Sequence, residues 1–179
     1  MKNLRWIIPA LLLVFGAPGC VLVSGQFLID FDLDTFDAST DTAVTRADVD
    51  LTTEDDYNDH KEDLKGLADV AVLGKITNSG SADIGVEVWM TGGPTTYTTP
   101  TEVTTNGTKL WGPFNLGAGV TKQVAWDESA GLFSEVGKAL LINEIKGDGQ
   151  FTIYAIGNAG TYQFNVDNGV LALAIEFGK

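Results

Sequence analysis

Several chemistries are scarce or missing in this 179-residue sequence, and each shortage removes a class of function. One cysteine and one histidine give no Cys/His cluster that could hold zinc. Positive charge is equally thin, with 11 Lys and Arg against 24 Asp and Glu and a formal charge of −13. A nucleic-acid backbone needs a Lys/Arg patch to displace its counterions, and here the basic residues beyond Lys2 and Arg5 are scattered from Arg46 to Lys179, so nucleic acid is excluded as a partner. The same field repels anionic lipid headgroups, which leaves apolar insertion or covalent lipid as the route to a membrane. Proline is limited to 5 residues and charge to 20%, while 44% of the chain is hydrophobic; this is neither a disordered tail nor a fibrous repeat but a chain able to bury a core.

The first twenty residues, MKNLRWIIPALLLVFGAPGC, carry Lys2 and Arg5 ahead of an apolar stretch from Trp6 to Phe15 and then small residues. That order is an export signal, expected to span residues 1–19. Its last four residues, Ala17-Pro18-Gly19-Cys20, resemble the lipobox of bacterial lipoproteins. Gly19 and Cys20 match the pattern, whereas Ala17 and Pro18 stand where that family usually has Leu and then Ser or Ala. The resemblance implies cleavage before Cys20 and a diacylglyceryl group on its sulfur. It also implies an outer-membrane location, because residue 21 is Val rather than the Asp that retains many lipoproteins in the inner membrane. Two other readings stay open. Ala17-Pro18-Gly19 also serves as an ordinary cleavage site, which would give a secreted or periplasmic protein. Trp6 to Val23 is in addition an 18-residue, mostly apolar stretch at the lower limit of a membrane span, although Pro9, Pro18 and the glycines interrupt it. On the lipoprotein reading, residues 20–26 form the lipidated end and tether; the six residues from Val21 to Gln26 reach about 20 Å at most.

The remainder, residues 27–179, reads as one domain. FLIDFDLDTF at 27–36 alternates, with Phe27, Ile29, Phe31 and Leu33 on one face and Leu28, Asp30, Asp32 and Asp34 on the other, the pattern of a half-buried strand. Residues 37–52 are polar and turn-rich and predict a long loop with a short strand at 47–51. Thr53 followed by Glu54, Asp55 and Asp56 predicts a capped helix over about 54–65, with Tyr57, Leu64 and Leu67 inward. Strands are expected at 69–78 and 84–91, joined as a hairpin through Asn78-Ser79-Gly80. Nine threonines among residues 91–108 indicate a surface excursion. Strands follow near 109–116 and 119–126, then a helix over 128–145 with Leu132, Val136, Ala139, Leu140 and Asn143 at helical spacing. The end predicts three strands, the last two forming a hairpin about Asp167-Asn168-Gly169.

Seven or eight short strands with frequent turns and two short peripheral helices predict an all-β fold, an antiparallel β-sandwich. From the strand entering Asn78, through Leu116-Gly117-Ala118-Gly119 and a strand ending at Trp126, to a helix near 132–142, residues 69–157 resemble the late-embryogenesis-abundant 14-type, immunoglobulin-like sandwich. The Asn-Pro pair usual in that family is absent, since Ser79 follows Asn78. What the resemblance implies is topology; function lives in sites.

Residues 27–65 hold thirteen Asp and Glu against Arg46, Lys61 and Lys65. Carboxylates at Asp30, Asp32 and Asp34 on one side of a strand are candidate ligands for Ca²⁺, a hard cation that takes oxygen ligands. An EF-hand loop starting at Asp30 fails, because its sixth position is Thr35 and its twelfth Asp41. The competing reading is a solvated acidic face. Trp89, opposite Ile84, Val86 and Val88 on its strand, and Tyr97 in the threonine-rich segment are candidate stacking residues for a glycan or a protein partner in the envelope, with core packing as the alternative for Trp89. Catalysis finds no support: His60 lies among Asp59, Lys61 and Glu62, Cys20 is committed to lipid on the lipoprotein reading, and none of the six serines sits in a G-x-S-x-G elbow. The sequence thus predicts a lipid-anchored envelope domain that acts by binding or structure, with a carbohydrate or adhesion module and a calcium-stabilised domain as alternatives.

Overall fold

The computed structural model describes residues 24–178. Its strands are β1 (Ser24–Ser39), β2 (Thr45–Asp50), β3 (Leu64–Asn78), β4 (Ile84–Gly92), β5 (Thr108–Leu116), β6 (Thr121–Val124), β7 (Gln150–Gly157) and β8 (Gln163–Gly178). They form two four-stranded sheets of order β1-β8-β3-β6 and β2-β7-β4-β5, with antiparallel pairing throughout. The expected antiparallel sandwich is the architecture of the protein. Alternation built it: along β1 the even positions from Gln26 to Asp32 are exposed while Phe27, Ile29, Phe31 and Leu33 turn inward.

Four short helices, twice the expected number, close the ends and flanks: α1 (Asp55–His60), α2 (Pro100–Asn106), α3 (Trp126–Ala130) and α4 (Glu135–Lys146). The first is shorter than the predicted 54–65. Thr53 does not cap it; its hydroxyl donates to the Asp50 carbonyl at 2.8 Å, and Glu54 occupies the cap position. Leu64 and Leu67 belong to β3 instead, whereas Tyr57 does turn inward and donates its hydroxyl to the Ile145 carbonyl at 2.9 Å. Within the threonine-rich segment, α2 is closed by a reciprocal box in which the Thr99 hydroxyl accepts from the Glu102 amide and the Glu102 carboxylate accepts from the Thr99 amide.

The single helix expected over 128–145 is two. Ser134 caps α4 by accepting the Gly137 amide at 2.9 Å, and the buried face is Gly137, Leu141 and Ile145. Val136, expected inside, is 71% exposed. The inward face is set by contact with β5: a Cβ on Gly137 would lie 2.6 Å from the Lys109 carbonyl oxygen and 2.7 Å from the Leu110 Cα, so only glycine lets the helix approach.

Two expected hairpins are replaced by other connections. β3 and β4 lie in different sheets. The fully buried Asn78 makes the corner, its amide nitrogen donating to the carbonyls of Ala82, Leu116 and Gly117 and its oxygen accepting from Gly80. Those contacts carry the chain across the sandwich. Asp167-Asn168-Gly169 lies inside the 16-residue β8 and does not reverse it.

That tripeptide belongs to a line of bulges crossing the first sheet. Asn168 has φ 52° and Asp34 has φ 59°, with pairing irregular on both sides of Asp34 in β1 and between Leu73 and Lys75 in β3. Gly74, at φ 139°, adopts the glycine-favouring region where its Cβ would crowd the Asn168 carbonyl oxygen at 3.3 Å. Polar bonds tie the three strands at this level. The Thr35 hydroxyl donates to Asp167 at 3.2 Å and the Lys75 ammonium meets the same carboxylate at 2.5 Å. The Lys75 hydrogen bond and charge hold the Asp167 carboxyl below the ordinary carboxylate range.

Candidate binding sites

The acidic strand places Asp30 and Asp32 on the exposed side of β1. Asp34 departs from their row at the bulge, and its amide donates to Asp32 Oδ1 at 2.7 Å. One oxygen of Asp32 is thereby spent on local backbone, an Asx-type turn that supports the left-handed residue. Among the described residues no group of three His, Cys, Asp or Glu side chains converges as a metal-ligand set.

Trp89 and Tyr97 meet the same outer face of the second sheet through Tyr154. Trp89 is paired across strands with Tyr154, and the Tyr97 ring lies 5.7 Å from the Tyr154 ring. Both candidate side chains are half-buried and pack against the core. The Trp89 indole donates to Glu87 at 2.9 Å, Glu87 pairs with Lys109 at 3.0 Å, and that ammonium lies 5.7 Å from the Trp89 ring centroid. The threonine-rich segment is pinned above them: Thr95 and the Tyr154 hydroxyl are 2.6 Å apart, and Arg46 donates to the Thr95 carbonyl and the Thr96 hydroxyl. Trp89 therefore brings an already engaged N–H to this surface.

An apolar concavity lies between the sheets. It is a cavity of about 50 Å³ with an almost wholly apolar lining. Its sheet-one wall follows the line of bulges, contributed by Leu33 and Phe36 about Asp34, by Leu73 and Ile76 about Gly74, and by Val166 and Gly169 about Asn168. The opposite wall is small at Thr45, Ala47 and Ala155, with Trp111 also in the lining. Leu33, Phe36, Thr45 and Ala47 point inward yet stay only half-buried, so the opening runs between the β1 and β2 edges. There the Thr45 hydroxyl donates to the Asp37 carbonyl at 3.0 Å, a single bond joining the two edges. Sequence reading passed over this site; its one local trace is a set of small residues, Thr45, Ala47 and Ala155, at positions where a strand packs inward.

Cys20 and residues 1–19, where a signal segment is expected, lie outside the described residues. No helix among the described residues is long and apolar enough to cross a membrane. No protein-family model, no curated protein and no solved structure matches this chain.

Proposed function

We propose that this chain is an exported lipoprotein of the cell envelope, held at the outer membrane through lipid on Cys20, and that its sandwich acts there by binding or structure rather than by catalysis. The observation that carries the reading is the Ala17-Pro18-Gly19-Cys20 sequence at the end of an n-region and apolar stretch. Its fit to the fold is favourable: β1 already includes Ser24, earlier than expected, so no more than the three residues Val21 to Val23 lie between the cysteine and the described sheet. Three residues span about 10 Å at most, which keeps the domain against the bilayer surface.

The test is metabolic labelling of cells making the full chain with an alkyne-tagged fatty acid, followed by intact-mass measurement and membrane fractionation. Label on the wild type and none on Cys20→Ala is the expected result. Label that persists in Cys20→Ala, or is absent from both, overturns the anchor. Recovery of the labelled wild type in the inner-membrane fraction overturns the outer-membrane assignment.

A further inference from the structure

We propose that the cavity between the sheets is a binding site for a single unbranched alkyl chain belonging to a neutral or cationic amphiphile. This inference is independent of the anchor on Cys20. The lining disfavours polar ligands: its surface is almost wholly apolar, made mostly by Leu, Ile, Val, Phe, Ala and Trp side chains with Thr45, Arg46 and Tyr154 among them, so water gains few partners inside and an alkyl chain gains contact along the walls. Size decides the shape. A cavity of about 50 Å³ is well short of the roughly 150 Å³ that admits benzene, and a slender chain is the apolar ligand that enters through the β1–β2 opening.

Charge decides the head group. The strands that bound the opening carry exposed Asp32, Asp34 and Asp37 on β1 and Asp48 on β2. The one cation among these residues, Arg46, is held by Thr95, Thr96 and, at 3.5 Å, Asp48. A carboxylate head at the mouth meets like charge, whereas an alcohol or a quaternary ammonium does not. The ligand is a separate molecule and not the protein's own lipid, because Leu33 lies nine residue steps along β1 from Ser24, about 30 Å of strand.

The experiment uses the full-length protein in phospholipid nanodiscs and a 1-alkanol carrying a terminal diazirine, with adducts located by peptide mass spectrometry. Adducts are expected on the peptides holding Leu33 to Phe36 and Thr45 to Ala47. Filling the cavity with Ala155→Leu, or from the other strand with Ala47→Leu, should reduce them at least tenfold. Labelling of peptides elsewhere and the thermal melt report that each variant remains folded and in the disc. Unbranched alkanols should compete about fourfold better per added methylene until the cavity is full. Absence of adducts from these peptides, or labelling unchanged in a folded variant, overturns the site. Competition by an alkanoate as strong as by the matching alkanol overturns the head-group assignment, and equal competition by benzene overturns the shape assignment.

Discussion

The indole Nε1 of Trp111 lies 3.0 Å from both the carbonyl and the hydroxyl oxygen of Ser129. That hydroxyl oxygen also accepts the Val72 amide at 2.7 Å. Ser129 is fully buried on α3, and it fills the place beside β3 where the short β6 ends, joining one sheet through Val72 to the other through Trp111. Ser129→Ala leaves the Val72 amide without its partner, and an unsatisfied buried donor costs about 1–3 kcal/mol. The expected result is a melting temperature lower by several degrees, with faster hydrogen exchange at Val72. An unchanged melt and unchanged exchange would refute the bridge.

The contact of α4 with β5 sets two glycines apart. Gly137→Ala places a methyl group against backbone at 2.6–2.7 Å. The gain of about 1 kcal/mol from helix propensity is outweighed by overpacking of about 1–3 kcal/mol. Gly131 offers its Cβ contacts no closer than 3.6 Å and has φ −71°, so Gly131→Ala should leave stability unchanged or slightly raised. Denaturant unfolding of the pair checks the sign of each.

Asn78 makes four side-chain hydrogen bonds to backbone from a fully buried position. Asn78→Ala should cost about 3 kcal/mol, since several carbonyls lose their donor at once. Asn78→Asp retains the acceptor for Gly80 but presents oxygen to three carbonyls, and it should be no better tolerated at neutral pH. Chemical denaturation of both variants measures this.

Two carboxyls give opposite pH dependences. Asp167 is held low in the fold by Lys75, so its stabilisation is present above the unfolded carboxyl range and is lost as pH falls through the folded value. Asp167→Asn should lower the melting temperature near neutrality, with the difference disappearing in acid. Burial and the nearby Asp148 raise the Glu144 carboxyl, so its native state holds the proton to higher pH and loses stability as pH rises through that raised value. Glu144→Gln should therefore raise the melting temperature near pH 7 and converge with the wild type in acid. Melts across pH 2–8 should show the two variants meeting the wild type in acid and departing from it in opposite directions as pH rises.

The sandwich was legible because one face of most strands is buried, and the alternation of β1 could be read without any partner. The errors are physically specific. Asn168-Gly169 signals a left-handed residue, which a bulge needs as much as a hairpin does, so β8 looked like two strands. The corner at Asn78 depends on carbonyls of Ala82, Leu116 and Gly117, two of them far along the chain, and local sequence offered only a turn. Helix α2 was in fact written plainly as Thr99-Pro100-Thr101-Glu102, a capping box with proline at the first helical position, and was hidden by the surrounding threonines. The cavity left only the small residues Thr45, Ala47 and Ala155 as a trace, because they become one wall only when β2 pairs with β7.

Asp34 has a consequence for how neighbouring molecules meet. β1 is a 16-residue strand at the border of its sheet, long enough to recruit a strand from another copy if it ran straight and uncharged. The left-handed kink at Asp34 interrupts that template partway along, and the exposed Asp30, Asp32 and Asp37 put negative charge on both sides of the break. Copies of the domain meeting at high concentration would thus slide past one another instead of zipping into ribbons, so the acidity of this strand acts as a colloidal safeguard whether or not any ligand ever visits it.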